Sequence, residues 1–260
     1  MVREYLGETI DIHGGGQDLV FPHHENEIAQ SECANGKPFA RYWMHNGFIN
    51  VDQEKMSKSA GNYFTVRDLA KHYDYLVLRF FMLSSHYRMP INFSADFLTA
   101  AQNGWARIRT CLNNLTFLAG QAPVQPAGED ARKAAADLTG ACEQFKNNFI
   151  EAMDDDLNTA DAMAAIFELV RAANTAAAVT GLDQGTITRT KNQLNELLDV
   201  LGLFQQNDEQ IPDEVIALIT ARSEAKKTRD FAKADALRAE ILLYGYLVMD
   251  TPQGPKVSKA

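Results

Sequence analysis

The stretch from His13 to Glu27 reads HGGGQDLVFPHHENE, and it decides the fold class of the first part of the chain. The preceding run Thr9–Ile12 predicts a β-strand that ends in a loop at the three glycines. A helix is predicted for Glu25–Glu32 and a second strand region for Tyr42–Val51. Because a strand, a glycine loop and a helix follow one another, we expect an open α/β sheet with ligands beyond the carboxyl ends of its strands.

The same stretch carries candidate binding residues. Glycine keeps no side chain between a ligand and the backbone, and three stand in a row: Gly14, Gly15 and Gly16. Asp18 is then placed to accept hydrogen bonds from ribose hydroxyls. His23 and Glu27 are four residues apart, so on a helix they share one face and can supply two of the four ligands of a zinc ion. For an isolated motif of this kind, a glycine turn followed by a surface His–Glu pair is the commoner outcome.

A lysine–serine loop follows about thirty residues downstream. The residues KMSKS run from Lys55 to Ser59, so Lys55 and Lys58 are separated by two residues. Two lysines in such a loop place positive charge on a triphosphate and stabilise the charge that develops during phosphate chemistry. A short lysine–serine loop is a weak signal alone, but its position after a glycine-rich strand end strengthens the prediction of a nucleotide site.

Together these motifs carry a family resemblance. IDIHGGGQDLVFPHHENEIAQSE (residues 10–32) and YWMHNGFINVDQEKMSKSAGN (residues 42–62) resemble the second half of the class I cysteine–tRNA ligase catalytic domain. The similarity continues through VLRFFMLSSHYRMPINFS (residues 77–94) and AMDDDLNTADAMAAIFELV (residues 152–170), and more weakly to the C-terminus. The resemblance implies an α/β plus α protein, in which part of a Rossmann-like catalytic domain precedes a mostly α-helical bundle.

The resemblance also implies an activity and a set of site residues. Enzymes of this family activate L-cysteine with ATP and Mg²⁺, release pyrophosphate and transfer the cysteinyl group to tRNA(Cys). By resemblance, Lys58 contacts ATP, Lys55 helps to hold the phosphates, and His13 to Asp18 border the adenylate. His23 and Glu27 match two ligands of a zinc ion that binds the substrate thiolate. A soft thiolate ligates zinc where the hydroxyl of serine competes poorly.

Part of the family's site has no counterpart among these residues. The other two zinc ligands of the family are cysteines that precede the matched region. The HIGH-type ATP motif precedes it as well. Met1 therefore aligns near the middle of the catalytic domain. Half of an α/β sheet is expected to leave an unpaired edge and an uncovered apolar face. We therefore expect negligible cysteine activation by this chain alone, with the missing N-terminal half as a possible partner.

The sequence changes to helical patterns after about residue 94. Four segments are predicted: residues 1–92 with the lysine loop, a connecting region at 93–128, a helical bundle at 129–208 and an anticodon-recognition region at 209–260. Amphipathic spacing marks the bundle helices, with apolar residues at Met163, Ile166, Phe167 and Val170 and at Leu194, Leu197, Leu198 and Leu201. Thr159 is predicted to cap one helix, and the acidic run Asp154–Asp156 to complement its dipole.

The last segment carries the candidate RNA contacts. Six lysines and arginines lie between Arg222 and Arg238, with acidic residues interspersed. Phe231 and Asp235 lie one helical turn apart and match family positions that read an anticodon base, by stacking and by accepting a hydrogen bond. The family usually has tryptophan at the position of Phe231. The alternative, that Phe231 only packs against Leu237 and its neighbours, carries equal weight.

Composition limits the other readings. The formal net charge is −9, and the three cysteines, Cys33, Cys111 and Cys142, form no disulfide framework, which favours a reduced, cytoplasmic protein without a signal peptide or membrane span. Two rival functions remain open. One is a non-catalytic tRNA-binding module derived from a synthetase, and the other is a cysteine ligase that acts on a small amine. The long helical C-terminal part counts against the second rival.

Overall fold

The computed structural model describes residues 2–56, 61–203, 212–228, 230–251 and 254–259. Lys58 lies outside the described residues. The α/β plus α class is confirmed, with short strands and helices in the first part and helices through most of the remainder.

A short parallel sheet forms the base of the first part. After helix α1 (Val2–Leu6), strand β1 (Ile10–Gly16) pairs in parallel with β2 (Ala40–Asn46), and helix α2 (Glu25–Asn35) provides the crossover. A 3₁₀ turn at Gln17–Leu19 and a π-type turn at Val20–His24 connect β1 to α2.

The predicted glycine loop is wrong, because the glycines belong to the strand. Gly14, Gly15 and Gly16 pair with Met44, His45 and Asn46 of β2. The backbone hydrogen bonds between β1 and β2 outweigh the low strand propensity of glycine, because they pair the amide and carbonyl groups of these residues.

A second sheet follows directly along the chain. Its central strand, β3 (Ile49–Val51), is antiparallel to the two-residue β4 (Glu54–Lys55) and parallel to β5 (Ile91–Phe93). Helices α3 (Val66–Leu69) and α4 (Tyr75–Leu83) lie between β4 and β5 in the chain. The predicted strand region 42–51 is therefore divided between the two sheets, with the turn at Gly47.

Two large apolar side chains of the first sheet are exposed next to each other. Ile12 and Tyr42 are opposite each other in the β1–β2 register, and they are 61% and 69% exposed. Phe21, in the π-type turn, is 76% exposed. Adjacent exposed apolar side chains such as Ile12 and Tyr42 are a common feature of interaction surfaces.

Long helices form the main core of the described residues. They are α5 (Ala95–Ala119), α6 (Glu129–Asp154), α7 (Thr159–Ala177) and α8 (Gln184–Val200), and α4 packs against them. The predicted stripes are confirmed: Met163, Ile166 and Val170 are buried from α7, and Leu194, Leu197, Leu198 and Leu201 from α8 and its end. Phe167 is only partly buried and packs against this core.

The predicted cap of α7 is off by one residue. Asn158 is the N-cap, because its side-chain oxygen accepts a hydrogen bond from the Asp161 amide at 3.1 Å. The Thr159 hydroxyl instead donates to the Ser85 carbonyl at 3.4 Å. Asparagine and threonine both cap helices, so the sequence did not separate the two positions.

The predicted dipole role of the acidic run is wrong as well. Asp154 is the last residue of α6, so the run follows the carboxyl end of one helix and does not lie in the first turn of the next. Asp156 has a φ of 55° and accepts a hydrogen bond from Tyr87 Oη at 2.7 Å, and a second one from Arg88 Nε. Its role is a tertiary contact to the segment before β5.

The C-terminal residues have a small core of their own. Helices α9 (Asp213–Lys227) and α10 (Phe231–Leu243) pack with an antiparallel hairpin, β6 (Tyr246–Thr251) and β7 (Gly254–Lys259), around Val215, Ile241 and Val248. The hairpin was not predicted from the sequence. Among the described residues, no helix combines the length and the apolarity that crossing a bilayer requires.

Candidate functional site

A carboxylate and two histidines meet where β1 and α2 face each other. His13 lies mid-strand in β1, and its Nε2 donates a hydrogen bond to Glu27 Oε2 at 2.7 Å. Glu27 is in the first turn of α2. His23 Nε2 lies 3.5 Å from the same oxygen, and the His23 side chain is 58% exposed. The structure therefore brings the predicted pair His23 and Glu27 together and adds His13.

Two further histidines extend this group into the protein. His24 is 3% exposed, and its Nδ1 lies 2.8 Å from His45 Nε2, so one ring nitrogen donates to the other. A Cβ on Gly15 would lie 2.8 Å from His24 Cε1, a distance at which something must shift. Gly15 is thus required for contact with the His24 ring rather than for an open loop.

Aromatic side chains surround the histidines. The Trp43 ring contacts His13 edge-on at a centroid distance of 4.8 Å and stacks on His45 at 6.0 Å. Phe39 is buried and contacts His13 at 5.2 Å. Burial lowers the pKa of His24, and the neighbouring His13 and His45 lower it further. His24 is therefore neutral at physiological pH.

Three side chains of this group form a potential metal-binding set. The ligand atoms of His13, His24 and Glu27 all lie within 4.8 Å of one another. Imidazole nitrogen and carboxylate oxygen are ligands that zinc accepts. Glu27 is common to this set and to the pair predicted from the sequence.

Strand periodicity contained a signal for His45, to which no role was assigned from the sequence. In the parallel register, His13 is opposite Trp43 and Gly15 is opposite His45. Residues two apart share a face, so His13 and Gly15 lie beside Trp43 and His45 on one face. That inference required knowing that the glycines are in the strand.

Asp18 lies beside the glycine strand end. It is exposed in the 3₁₀ turn, and its Oδ1 would be 2.5 Å from a Cβ on Gly16. The carboxylate therefore lies against the backbone at Gly16, which has room for it only because that residue has no side chain. Gly14 faces the Met44 carbonyl, which a Cβ would approach at 3.3 Å.

The lysine loop begins at the end of a strand. Lys55 is the second residue of β4 and pairs with Asn50 of β3. Lys58, the other predicted catalytic lysine, lies outside the described residues.

The candidate RNA residues are exposed at the start of α10. Phe231 is 61% exposed and Asp235 is exposed one turn later. Arg222 is not available to RNA in the same way, because it is 4% exposed and donates from both Nη atoms to Asp250 at 2.9 and 2.8 Å. Lys226 Nζ lies 2.8 Å from the same carboxylate. These contacts hold the pKa of Asp250 well below its usual range.

Three family profiles match successive parts of the chain. Residues 1–103 match the tRNA synthetases class I (C) catalytic domain, residues 148–205 the DALR domain, and residues 208–256 the cysteinyl-tRNA ligase anticodon binding domain. The four segment boundaries predicted from the sequence stay a prediction.

Similar proteins agree with these profiles. The chain is 50% identical over its whole length to a cysteine–tRNA ligase from Caldicellulosiruptor saccharolyticus and 49% identical to one from Lachnospira eligens. It covers 55% and 54% of those proteins, so it spans about half the length of the curated relatives it matches.

A solved structure shares the fold. The structure is that of LeuRS from Agrobacterium radiobacter K84 in a ternary complex with tRNA and LeuAMS. The match has a TM-score of 0.58 and 18% sequence identity, and it covers 73% of this chain and 25% of the LeuRS chain. From the three profiles and the relatives together, the chain belongs to the class I cysteine–tRNA ligase family.

Proposed function

We propose that this chain supplies the metal-binding, lysine-loop and tRNA-facing parts of a cysteine–tRNA ligase. That enzyme activates L-cysteine with ATP and transfers it to tRNA(Cys), in the cytoplasm. The observation that carries the proposal is Glu27, which lies within contact distance of His13 and His23 beside a neutral, buried His24. The relatives' names point to the same reaction.

His23 and Glu27 are proposed as the zinc ligands contributed by this chain. A tetrahedral site needs about four ligands, and the exposed His23 leaves room for others on its open side. When bound, zinc provides a soft Lewis acid that selects a thiolate over a hydroxyl.

His13 is proposed to orient Glu27 rather than to bind the metal. Its 2.7 Å hydrogen bond to Oε2 fixes the carboxylate, as partners behind a metal ligand do. His24 is held from the other side by His45, and its burial keeps it in the neutral form. The three-residue set His13, His24 and Glu27 is the alternative ligand set, and substitution separates the two.

The test is zinc affinity measured by calorimetry on the chain and its variants. We expect Glu27→Gln and His23→Ala each to weaken binding by about tenfold or more, and added L-cysteine, but not L-serine, to strengthen it in the parent. Loss of affinity in His24→Ala with full affinity in His23→Ala would assign the site to the alternative set.

ATP, with Mg²⁺, is proposed to bind between the glycine strand end and the lysine loop. Gly14 is exposed and Gly15 and Gly16 are half-buried at the carboxyl end of β1, and Asp18 is exposed beside them. Lys55 and Lys58 are proposed to neutralise the phosphates.

Phe231 and Asp235 are proposed to contact an anticodon base. The support is their joint exposure on one turn of α10, within the part that matches an anticodon binding domain. An exposed aromatic side chain offers a stacking face and a carboxylate accepts from a base edge.

The 260 residues alone are proposed to be inactive in cysteine activation. Two zinc ligands bind metal much more weakly than four, and the exposed Ile12–Tyr42 face leaves apolar surface uncovered. A polypeptide equivalent to the relatives' remaining half is the proposed partner. The second candidate function, tRNA binding without catalysis, is favoured by the C-terminal match and by the exposure of Phe231.

A further inference from the structure

We name His13, His23, His24, Glu27 and His45 the histidine site. The segment His86–Pro90, which we name the Tyr87 loop, contacts the chain on both sides of this site. The Gly47 amide donates to the Tyr87 carbonyl at 2.8 Å, two residues after His45. The Gln17 side chain donates to the Arg88 carbonyl at 2.9 Å, one residue after Gly16. One short loop therefore holds the chain where β1 ends and where β2 ends.

The packing at Gly47 makes this contact tight. A Cβ at that position would lie 2.4 Å from the carbonyl carbon of Met89 and 2.7 Å from Pro90 N. Both are backbone atoms, which cannot rotate away. Gly47 therefore lies directly against the backbone of the Tyr87 loop, with no room for a side chain between them.

The Tyr87 loop is held in turn by the turn between α6 and α7. Tyr87 Oη donates to Asp156 Oδ1 at 2.7 Å and Arg88 Nε donates to Oδ2. The Arg88 guanidinium also lies over the Tyr87 ring, 5.3 Å from its centroid, and His86 stacks on that ring at 4.9 Å. The two hydrogen bonds end on one carboxylate, and the two ring contacts hold the donor side chains together.

Asp156 and its neighbour adopt an uncommon backbone conformation. Asp156 and Leu157 have φ values of 55° and 56°, consecutive left-handed positions without a glycine. Such residues persist where surrounding contacts fix them, and they concentrate at functional positions. The ion pair with Arg88 and the hydrogen bond from Tyr87 lower the pKa of Asp156 to about 2, so the carboxylate is ionised at neutral pH.

We propose that Asp156 is a positioning residue, which acts through Tyr87 and Arg88 to hold the Gln17 and Gly47 flanks of the histidine site. A residue between helices α6 and α7 thereby helps to fix the geometry of a site that lies more than a hundred residues earlier in the chain. The inference rests on the proposed function only in taking the histidine site as the place where metal binds.

The test compares Tyr87→Phe, Asp156→Asn and the double variant of the full chain. Asp154→Asn is the matched control, since it removes a charge two residues earlier, at the end of α6, without changing a contact to Tyr87 or Arg88. Amide hydrogen exchange at Gly16 and Gly47 and zinc affinity are measured for each. We expect about two- to fivefold faster exchange and a similar weakening of zinc binding in both single variants. The double variant is expected to add little to Asp156→Asn, because Asp156→Asn already weakens the hydrogen bond that Tyr87→Phe removes.

The opposite pattern would overturn the proposal. If exchange quickened only in residues 152–160 and the Gly16 and Gly47 amides kept parental rates, Asp156 would support its own turn alone. The same conclusion would follow if Asp154→Asn matched Asp156→Asn. A parent chain that binds no zinc would instead refute the metal assignment, while the exchange rates would still decide the positioning role.

Discussion

Glu27 is the carboxylate that lies between His13 and His23. Its carboxylate accepts from His13 and lies near His23, so one oxygen is oriented from within the sheet and approached from the open side. A carboxylate held in this way needs little reorganisation to ligate a metal. His24 and His45 form a second pair behind it, and burial keeps His24 neutral.

Phe231 offers a test at the same scale in the C-terminal part. Its ring is 61% exposed, so removing it leaves the small core around Val215 and Ile241 intact. We expect Phe231→Ala to weaken tRNA(Cys) binding by about 1–3 kcal/mol, the value of one stacked base. Fluorescence-detected titration with tRNA(Cys) measures the effect.

A tryptophan control sharpens that result. Phe231→Trp offers a larger stacking face at the same position and is expected to bind at least as tightly as the parent. Equal affinity in Phe231→Ala, with unchanged thermal stability, would mean that the ring does not meet a base.

At the scale of elements, the junction between α6 and α7 joins the bundle to the site. Asn158 caps α7, and Asp156, two residues earlier, binds Tyr87 and Arg88. Asn158 stabilises the start of a helix, whereas Asp156 makes a tertiary contact, although the two are only two residues apart. We therefore expect substitutions at the two positions to have separable effects on stability.

The cap is tested by stability. Asn158→Ala is expected to lower the free energy of unfolding by about 1 kcal/mol, since an α7 amide loses its partner. Thr159→Ala is expected to cost only a few tenths of that, because its 3.4 Å bond to Ser85 is long. Denaturant unfolding measures both, and a larger loss for Thr159→Ala would restore threonine as the cap.

The contact of the Asp156 carboxylate with Tyr87 and Arg88 is tested by the pH dependence of thermal stability. The pKa of Asp156 is lowered from its ordinary value of 3.8 to about 2, so its stabilisation is present above 3.8 and is lost as the pH falls through about 2. The difference in thermal midpoint between the parent and Asp156→Asn is therefore expected to be constant near pH 6 and to shrink between pH 4 and pH 2. Calorimetric scans over that range measure it, with Asp154→Asn as control. A difference that grew toward low pH would contradict the assignment.

The sequence predicted the apolar stripes of α7 and α8 because burial follows a helical period that is local in the chain. It did not predict that three glycines continue β1, since the ladder to β2 lies thirty residues away. His24 and His45 were missed for the same reason, because their contact depends on that register. Asp156 was misassigned because its partners are nearly seventy residues earlier.

At the scale of the whole molecule, the first sheet and the turn that follows β1 expose large apolar side chains. Ile12, Phe21 and Tyr42 are exposed around the first sheet, and His23 opens to the same solvent. The relatives are nearly twice as long as the matched region. On these observations we propose that further residues complete the site.

The most direct measurement is cysteine-dependent ATP–pyrophosphate exchange in a mixture of two polypeptides. One is this chain, and the other is the part of the Caldicellulosiruptor saccharolyticus cysteine–tRNA ligase outside the matched region. Exchange is predicted in the mixture with zinc, in neither polypeptide alone, and not with Glu27→Gln or Lys58→Ala. Two polypeptides that associate but show no exchange, or exchange that survives Glu27→Gln, would contradict the account.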